Sequence, residues 1–392
     1  MMGKRRFHVA TEEEIRAGRV TDVYFERTLA AIEARHADKK VVGEVRTRAL
    51  PKGWPWGVLA GIEEVAHLLE GLDIRVWALP EGSIFWPGEP VLTIEGPYSL
   101  FARYETTFLG MLCQATGIAT KAARCRLAAG ERILLSFGAR RMHPAIAPMI
   151  ERAGYIGGCD GVSTLVAADV IGIPPTGTMP HALILILGDT LEAARAFDEV
   201  VPPEVKRIVL IDTLADEKFE TLRVAEGMGD KLYGVRFDTP FSRRGSLRQL
   251  MEEVRWELDL RGYEHVKFFA SGGLDEERIL ELNPVCDGYG VGTSLANAPT
   301  IDFAFDLVEI EGKPLAKRGK KSGAKFIARC PACGAREVIY WQRDPGRCAC
   351  GHDREVLNRL LIDRGKIVGE LPSATQVRSY VLEQLVGRTL VS

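Results

Sequence analysis

Hydrophobic and polar positions change their spacing part-way along the chain, and the change divides it into regions. Phe25 to Ala37 places apolar residues at helical spacing, after a Thr11-Glu-Glu-Glu segment of the kind that caps a helix. Val41 to Ile94 is interrupted by Gly, Pro and Trp and predicts short strands between turns. Tyr104 to Arg126 predicts a long amphipathic helix, stopped by Ala128-Ala-Gly130. Beyond it β-rich apolar runs begin: Ile133-Leu-Leu-Ser-Phe137, Arg207 to Asp212, Leu232 to Asp238, Val266 to Ser271 and Asp287 to Gly292. Segments of helical spacing lie between them, at Leu191 to Val201, Ala215 to Met228, Ser246 to Leu260 and Glu276 to Leu282.

Strand and helix alternating in this way imply parallel strands with helices outside. Val209-Leu-Ile-Asp-Thr213 and Val235-Arg-Phe-Asp-Thr239 repeat one another, one strand-helix unit apart. No Gly-x-Gly-x-x-Gly follows a first strand, and the residues suited to chemistry all fall at strand ends, so an α/β barrel is favoured over a doubly wound sheet. After residue 310 the chain turns basic and turn-rich. The expected organisation is an α/β domain over residues 1–115, a barrel domain over 116–310 and a small zinc-ribbon-like module with a tail over 311–392.

Composition narrows the functional classes. The 392 residues carry 51 Lys+Arg against 53 Asp+Glu, so no global charge draws the chain to nucleic acid or an acidic membrane. No apolar run follows the basic N-terminus, and the longest aliphatic stretch, Ala182 to Leu187, is far short of the roughly 20 residues that span a bilayer. A soluble cytoplasmic protein is the expectation, with no membrane and no nucleic acid as partner.

Four of the eight cysteines are gathered: Cys330-Pro-Ala-Cys333-Gly, then Cys348-Ala-Cys350-Gly. Four soft thiolates on two Gly-containing turns suit a closed, structural Zn²⁺ site, with His352 near enough in sequence to replace one of them. Asp212, Asp238, the Ser271-Gly272-Gly273 turn and the Gly290-Val-Gly292-Thr293 turn end four of the predicted strands. In a barrel they meet on one face, where Gly-rich turns offer N–H groups to a phosphate and carboxylates suit ribose hydroxyls or a bridging Mg²⁺. Ser136 to His143 sets Phe137, Arg140 and Arg141 after a strand, so that Phe137 and Arg140 can sandwich a flat ring while Arg141 pairs with a carboxylate.

Taken in order, Thr21-Asp22-Val-Tyr24, Phe137-Gly-Ala-Arg140-Arg141, Gly177-Thr178-Met-Pro-His181, Leu210-Ile-Asp212-Thr, Arg236-Phe-Asp238-Thr, Ser271-Gly-Gly and Gly290-Val-Gly-Thr resemble the motifs of nicotinate phosphoribosyltransferases, in the form with a C-terminal zinc knuckle. The resemblance implies an incomplete α/β barrel with an α/β N-terminal domain, in a homodimer or higher oligomer whose sites are shared between subunits. It implies conversion of nicotinate and phosphoribosyl pyrophosphate to nicotinate mononucleotide and pyrophosphate, coupled to ATP through a phosphorylated histidine matching His181. Phe137 and Arg140 match residues that sandwich the pyridine ring, Tyr24 matches one supplied by the neighbouring subunit, and Arg236 and Asp238 match ribose and phosphate contacts. Gly272, Gly273, Gly292 and Thr293 match the 5′-phosphate cradle; Asp22, Thr178, Asp212 and Ser271 are further candidate contacts within the motifs.

The chemistry agrees: loss of pyrophosphate builds positive charge on the ribose, which calls for nearby carboxylates and a Mg²⁺-clamped leaving group and not for a strong nucleophile. Asp160 resembles a carboxylate that related enzymes use to hold an amide, which keeps nicotinamide as a rival substrate. Quinolinate is another, though it would want more basic groups and no zinc module. A zinc-knuckle nucleic-acid binder would need aromatic residues among Lys313 to Lys325, where there are none. An aldolase-like barrel would need a Lys at a strand end, whereas Lys267 begins its strand.

Overall fold

The computed structural model describes residues 5–240 and 245–391. It divides into two compact units, Met1–Thr120 with Pro299–Ser392, and Lys121–Ala298. No helix among the described residues is long and apolar enough to cross a membrane.

The first unit is built on a seven-stranded antiparallel sheet in the order Lys313–Pro314, Ala304–Ile310, Lys40–Arg46, Leu92–Pro97, Arg75–Ala78, Arg359–Asp363, Lys366–Ile367. Val45, Val76, Leu92, Ile94 and Ile362 carry the apolar side of this sheet into a core that includes Phe101 and Phe108. The two units meet a few residues from the expected boundaries at 115/116 and 310/311, and the segment after 310 packs with the first unit. Its strand Arg359–Asp363 pairs with Arg75–Ala78, and Arg336 donates to both carboxylate oxygens of buried Glu89 at 2.8 and 2.9 Å. Unpaired strand edges and a buried carboxylate both demand partners, and this segment supplies them.

The second unit holds six parallel strands: β1 (Ile133–Ser136), β2 (Gly161–Val162), β3 (Ile208–Leu210), β4 (Gly234–Phe237), β5 (Lys267–Ser271) and β6 (Gly288–Val291). Their order is β2-β1-β6-β5-β4-β3. Between β2 and β3 the chain forms α1 (Leu165–Ile171), α2 (His181–Leu187) and α3 (Thr190–Val200) without a strand, which leaves the barrel open there. The helix Glu217–Met228 follows β3, capped by Asp216 whose carboxylate accepts from Lys218 N, and Leu247–Asp259 follows β4, capped by Ser246. These caps fix where each helix starts.

Candidate active site

Parallel strands deliver the residues after their carboxyl ends to one face, and most of the sequence candidates arrive there. Asp212 follows β3, Arg236 lies in β4 and Asp238 follows it, Ser271 closes β5, and Phe137 follows β1. Ser271 Oγ donates to Asp238 Oδ1 at 2.9 Å, while Asp238 Oδ2 lies 3.3 Å from His181 Nε2. His181 opens α2, and its Nδ1 lies 2.8 Å from Thr213 Oγ1. Arg236 Nη1 donates to Thr178 Oγ1 at 2.5 Å.

Close packing shapes the ring end of this cluster. A Cβ on Gly290 would stand 2.2 Å from Phe137 Cε2, so only glycine lets the Phe137 ring lie on β6. The Arg236 guanidinium sits 5.6 Å from the centroid of that ring. Gly272 has φ +83°, and a Cβ there would stand 3.0 Å from Asp238 Oδ1, so the turn after β5 and the carboxylate share one small space. Gly273, also left-handed, completes that turn; Gly292 and Thr293 form the neighbouring one after β6.

The electrostatics are those of a site prepared for a ligand. Burial pushes the Asp212 carboxyl above its ordinary range; His181 opposes the shift, and Asp238 and Glu217 reinforce it. Burial lowers Arg236 against the pull of Asp238 and Asp212. Asp212 Oδ1 and Arg236 Nε are buried with no hydrogen-bond partner in the protein. A buried unpaired acceptor and donor each cost free energy, which a bound polar ligand can recover.

Asp160 is not in this group. It precedes β2 at the amino end of the sheet, where its Oδ2 accepts from Arg126 Nη2 at 2.5 Å and from Leu134 N at 2.8 Å. With its carboxylate bound to a guanidinium and a strand N–H, it has a structural task at the opposite edge from Asp238. Arg140 and Arg141 lie in an exposed turn after Phe137. Asp22 and Tyr24 belong to the first unit: Asp22 accepts from Thr106 Oγ1 at 2.8 Å, and Tyr24 is 54% exposed on the helix Val23–Ala34. Thr213, Thr239 and Glu217 lie outside the sequence candidates, and Thr239 Oγ1 donates to the buried Glu217 carboxylate at 3.1 Å. The repeated Asp-Thr pair marks both threonines in the sequence without giving either a partner.

In the first unit, Cys330, Cys333, Cys348 and Cys350 bring their sulfurs within 4.8 Å of one another. The pairs Cys330–Cys350, Cys333–Cys348 and Cys333–Cys350 are 3.4, 3.5 and 3.6 Å apart. Tetrahedral coordination at a zinc–sulfur distance of about 2.3 Å separates sulfurs by about 3.8 Å, close to these three spacings, so the set suits a metal ion. The backbone N–H of Cys333 helps lower the Cys330 thiol to about 6. His352 Nδ1 is 3.6 Å from Cys350 Sγ, beside the four sulfurs.

Family models for the quinolinate phosphoribosyl transferase N-terminal and C-terminal domains match residues 22–116 and 118–306. A nicotinate phosphoribosyltransferase of Mycobacterium tuberculosis is 33% identical, over 95% of this chain and 92% of its own length. The chain belongs to the nicotinate phosphoribosyltransferase family. A further family member from Bacillus subtilis is 31% identical over 70% of this chain. Among solved structures, nicotinate-nucleotide pyrophosphorylase from Pyrococcus furiosus is 54% identical with a TM-score of 0.96, covering 98% of both chains. Human nicotinic acid phosphoribosyltransferase, at 21% identity and a TM-score of 0.74, shares the fold over 95% of this chain.

Proposed function

We propose that this chain is a nicotinate phosphoribosyltransferase of NAD biosynthesis, joining nicotinate to phosphoribosyl pyrophosphate with release of pyrophosphate and coupling the transfer to ATP. The observation that carries this reading is the His181 imidazole, set between Thr213 and Asp238 among the strand-end carboxylates. Transfer to quinolinate is driven by loss of CO₂ and has no use for a phosphoryl acceptor; transfer to nicotinate lacks that drive and gains from one.

The pyridine nitrogen attacks ribose C1 with its own lone pair as the C1–O bond to pyrophosphate breaks, so no proton moves and no side chain need act as nucleophile. Phe137 and Arg140 hold the ring, Arg141 pairs with its carboxylate, and Asp212 and Asp238 stabilise positive charge on the sugar. Arg236, Thr178 and Ser271 fix the sugar and phosphates, and the Gly272-Gly273 and Gly292-Thr293 turns receive the 5′-phosphate. Asp212, whose buried oxygen lacks a partner, and Asp238 are the carboxylates that would hold Mg²⁺, which neutralises the leaving pyrophosphate when bound. The four cysteines are proposed to hold structural Zn²⁺. Four gathered cysteines with metal-ligand spacing, and four scattered ones, suit a cytoplasmic setting better than a disulfide framework does.

The engagement of Asp160 with Arg126 and Leu134 N supports the acid over the amide as substrate. With two guanidinium groups beside the ring, nicotinate is expected to exceed nicotinamide in kcat/KM by about tenfold or more, the size of one charge-assisted pair. The test is a comparison of nicotinate, nicotinamide and quinolinate, each with and without ATP. Equal rates for the acid and the amide, or quinolinate consumption with CO₂ release, would overturn the reading.

A shared-site homodimer is part of the same proposal. Tyr24 is about half exposed, and α1 and α2 expose Leu165, Val166, Val170, Leu185 and Ile186, the last at 80%. Apolar surface of this kind is normally covered by a protein partner.

A further inference from the structure

Tyr24 stands two positions after Asp22, the residue that opens the helix Val23–Ala34. Asp22 has the extended backbone of a cap, φ −70° and ψ 136°, yet its carboxylate makes no capping bond to that helix. An aspartate at this position ordinarily accepts from the second or third N–H group that follows. Here it is turned instead to a residue 84 positions away: Thr106 Oγ1 donates to Asp22 Oδ2 at 2.8 Å and accepts from Asp22 N at 3.2 Å. A threonine hydroxyl has one proton for the carboxylate and lone pairs for the N–H, so one side chain holds Asp22 at two points.

The chain leading to Asp22 is tied to the same stretch. Thr107 Oγ1 donates to Val20 O at 2.8 Å, and Tyr104 Oη donates to Arg16 O at 3.1 Å. Gly18 has φ +66°, and a Cβ there would stand 2.6 Å from Arg103 Cδ, so the two segments run in close contact. Phe25 is buried and sets the rotation of the helix, which leaves the preceding Tyr24 54% exposed. Confining the chain beside an exposed ring costs conformational freedom, and a surface that receives the ring gains from its being held beforehand.

We propose that Thr106 is the positioning residue for Tyr24: its hydroxyl sets the start of the helix and so the direction in which the ring enters the neighbouring subunit's nicotinate site. The inference rests on the shared-site dimer and deepens it. Thr106 acts through Asp22 and Tyr24, across the interface from the reaction it serves.

Thr106→Val keeps the shape and removes the hydroxyl, Thr106→Ala removes it without bulk, and Thr106→Ser keeps it. Kinetics of the full chain are taken per folded molecule, varying nicotinate and phosphoribosyl pyrophosphate in turn. Misplacement by about 1 Å costs up to about 10²-fold, and only one of several ties is cut here, so Val and Ala should each raise the KM for nicotinate by about tenfold. Their kcat and their KM for phosphoribosyl pyrophosphate should stay within about twofold, as should every constant of the Ser variant. A chain that was merely less stable would show no such split. The defect should also act across the interface. In mixed dimers with Asp238→Ala, the one site with Asp238 intact lies on the Thr106→Val chain and takes Tyr24 from a chain that keeps Thr106. Its KM for nicotinate should return to that of the unaltered chain. A KM that stays raised in verified mixed dimers, Val and Ala variants with the unaltered KM, or a Ser variant as poor as Val would each overturn the proposal. Tyr24→Ala separates the two levels of inference. If it uses nicotinate as well as the unaltered chain does, the shared-site reading falls and this proposal with it; if it is defective while both hydroxyl-free Thr106 variants are unaltered, only this proposal falls.

Discussion

Single side chains at the strand ends do two kinds of work, and titration separates them from groups that matter only for folding. His181→Ala removes the proposed phosphoryl acceptor, so adding ATP should no longer raise product formation; continued ATP hydrolysis in step with product would sink the assignment. Glu105, far along the chain from these motifs, is a folding case. Burial, reinforced by Asp306 and Asp22, pushes its carboxyl from an ordinary 4.5 up to about 7. The folded state then holds a proton that the unfolded state releases, so stability falls as pH rises through that window and is lowest above about pH 7. Glu105→Gln should raise stability at pH 8 by about 1–2 kcal/mol, after discounting for partial exposure, and change it little near pH 4. Denaturant unfolding at the two pH values checks both the size and the sign. The site's carboxylates were legible in the sequence because their motifs recur at strand ends, and His181 because Gly177-Thr-Met-Pro-His181 resembles a family motif. Thr213 was not, because a hydroxyl beside an aspartate is ordinary until its partner is known.

At the scale of elements, strands set the distances between groups and turns set their directions. The Phe137 ring lies against β6 because Gly290 has no side chain. Gly290→Ala should displace that ring, raising the KM for nicotinate by about tenfold and costing about 1–3 kcal/mol of stability through overpacking. Kinetics and thermal unfolding of one variant measure both. The cysteine cluster makes a different demand, because strands Lys325–Arg329 and Arg336–Tyr340 hold Cys330 and Cys333 on the turn between them. About one Zn²⁺ per chain is expected by metal analysis, and Cys333→Ser or a chelator should cost about 3 kcal/mol or more, since metal binding is coupled to folding. Turnover per folded molecule should change far less. Metal-free protein with unchanged unfolding would refute this.

For the whole molecule, the proposed dimer makes a prediction about mixtures. If each site takes Tyr24 from one subunit and Asp238 from the other, Tyr24→Ala and Asp238→Ala chains are each inactive alone. Random re-association should restore about a quarter of the unaltered activity, because half the dimers are mixed and each mixed dimer has one intact site. Verified hybrids without recovered activity would count against shared sites. The sequence alone determined the alternation of strands and helices, the strand-end chemistry, the set of four clustered cysteines and the family. Local periodicity and ordered motifs report those, because they depend on neighbours a few residues apart. Only the tertiary structure decided that residues after 310 complete the first unit's sheet, that Asp160 belongs to Arg126 and the amino edge of β1, and that Thr213 meets His181. Each of these turns on a pairing across a long stretch of chain, where a strand edge, carboxylate or ring nitrogen takes the partner that packing brings within reach.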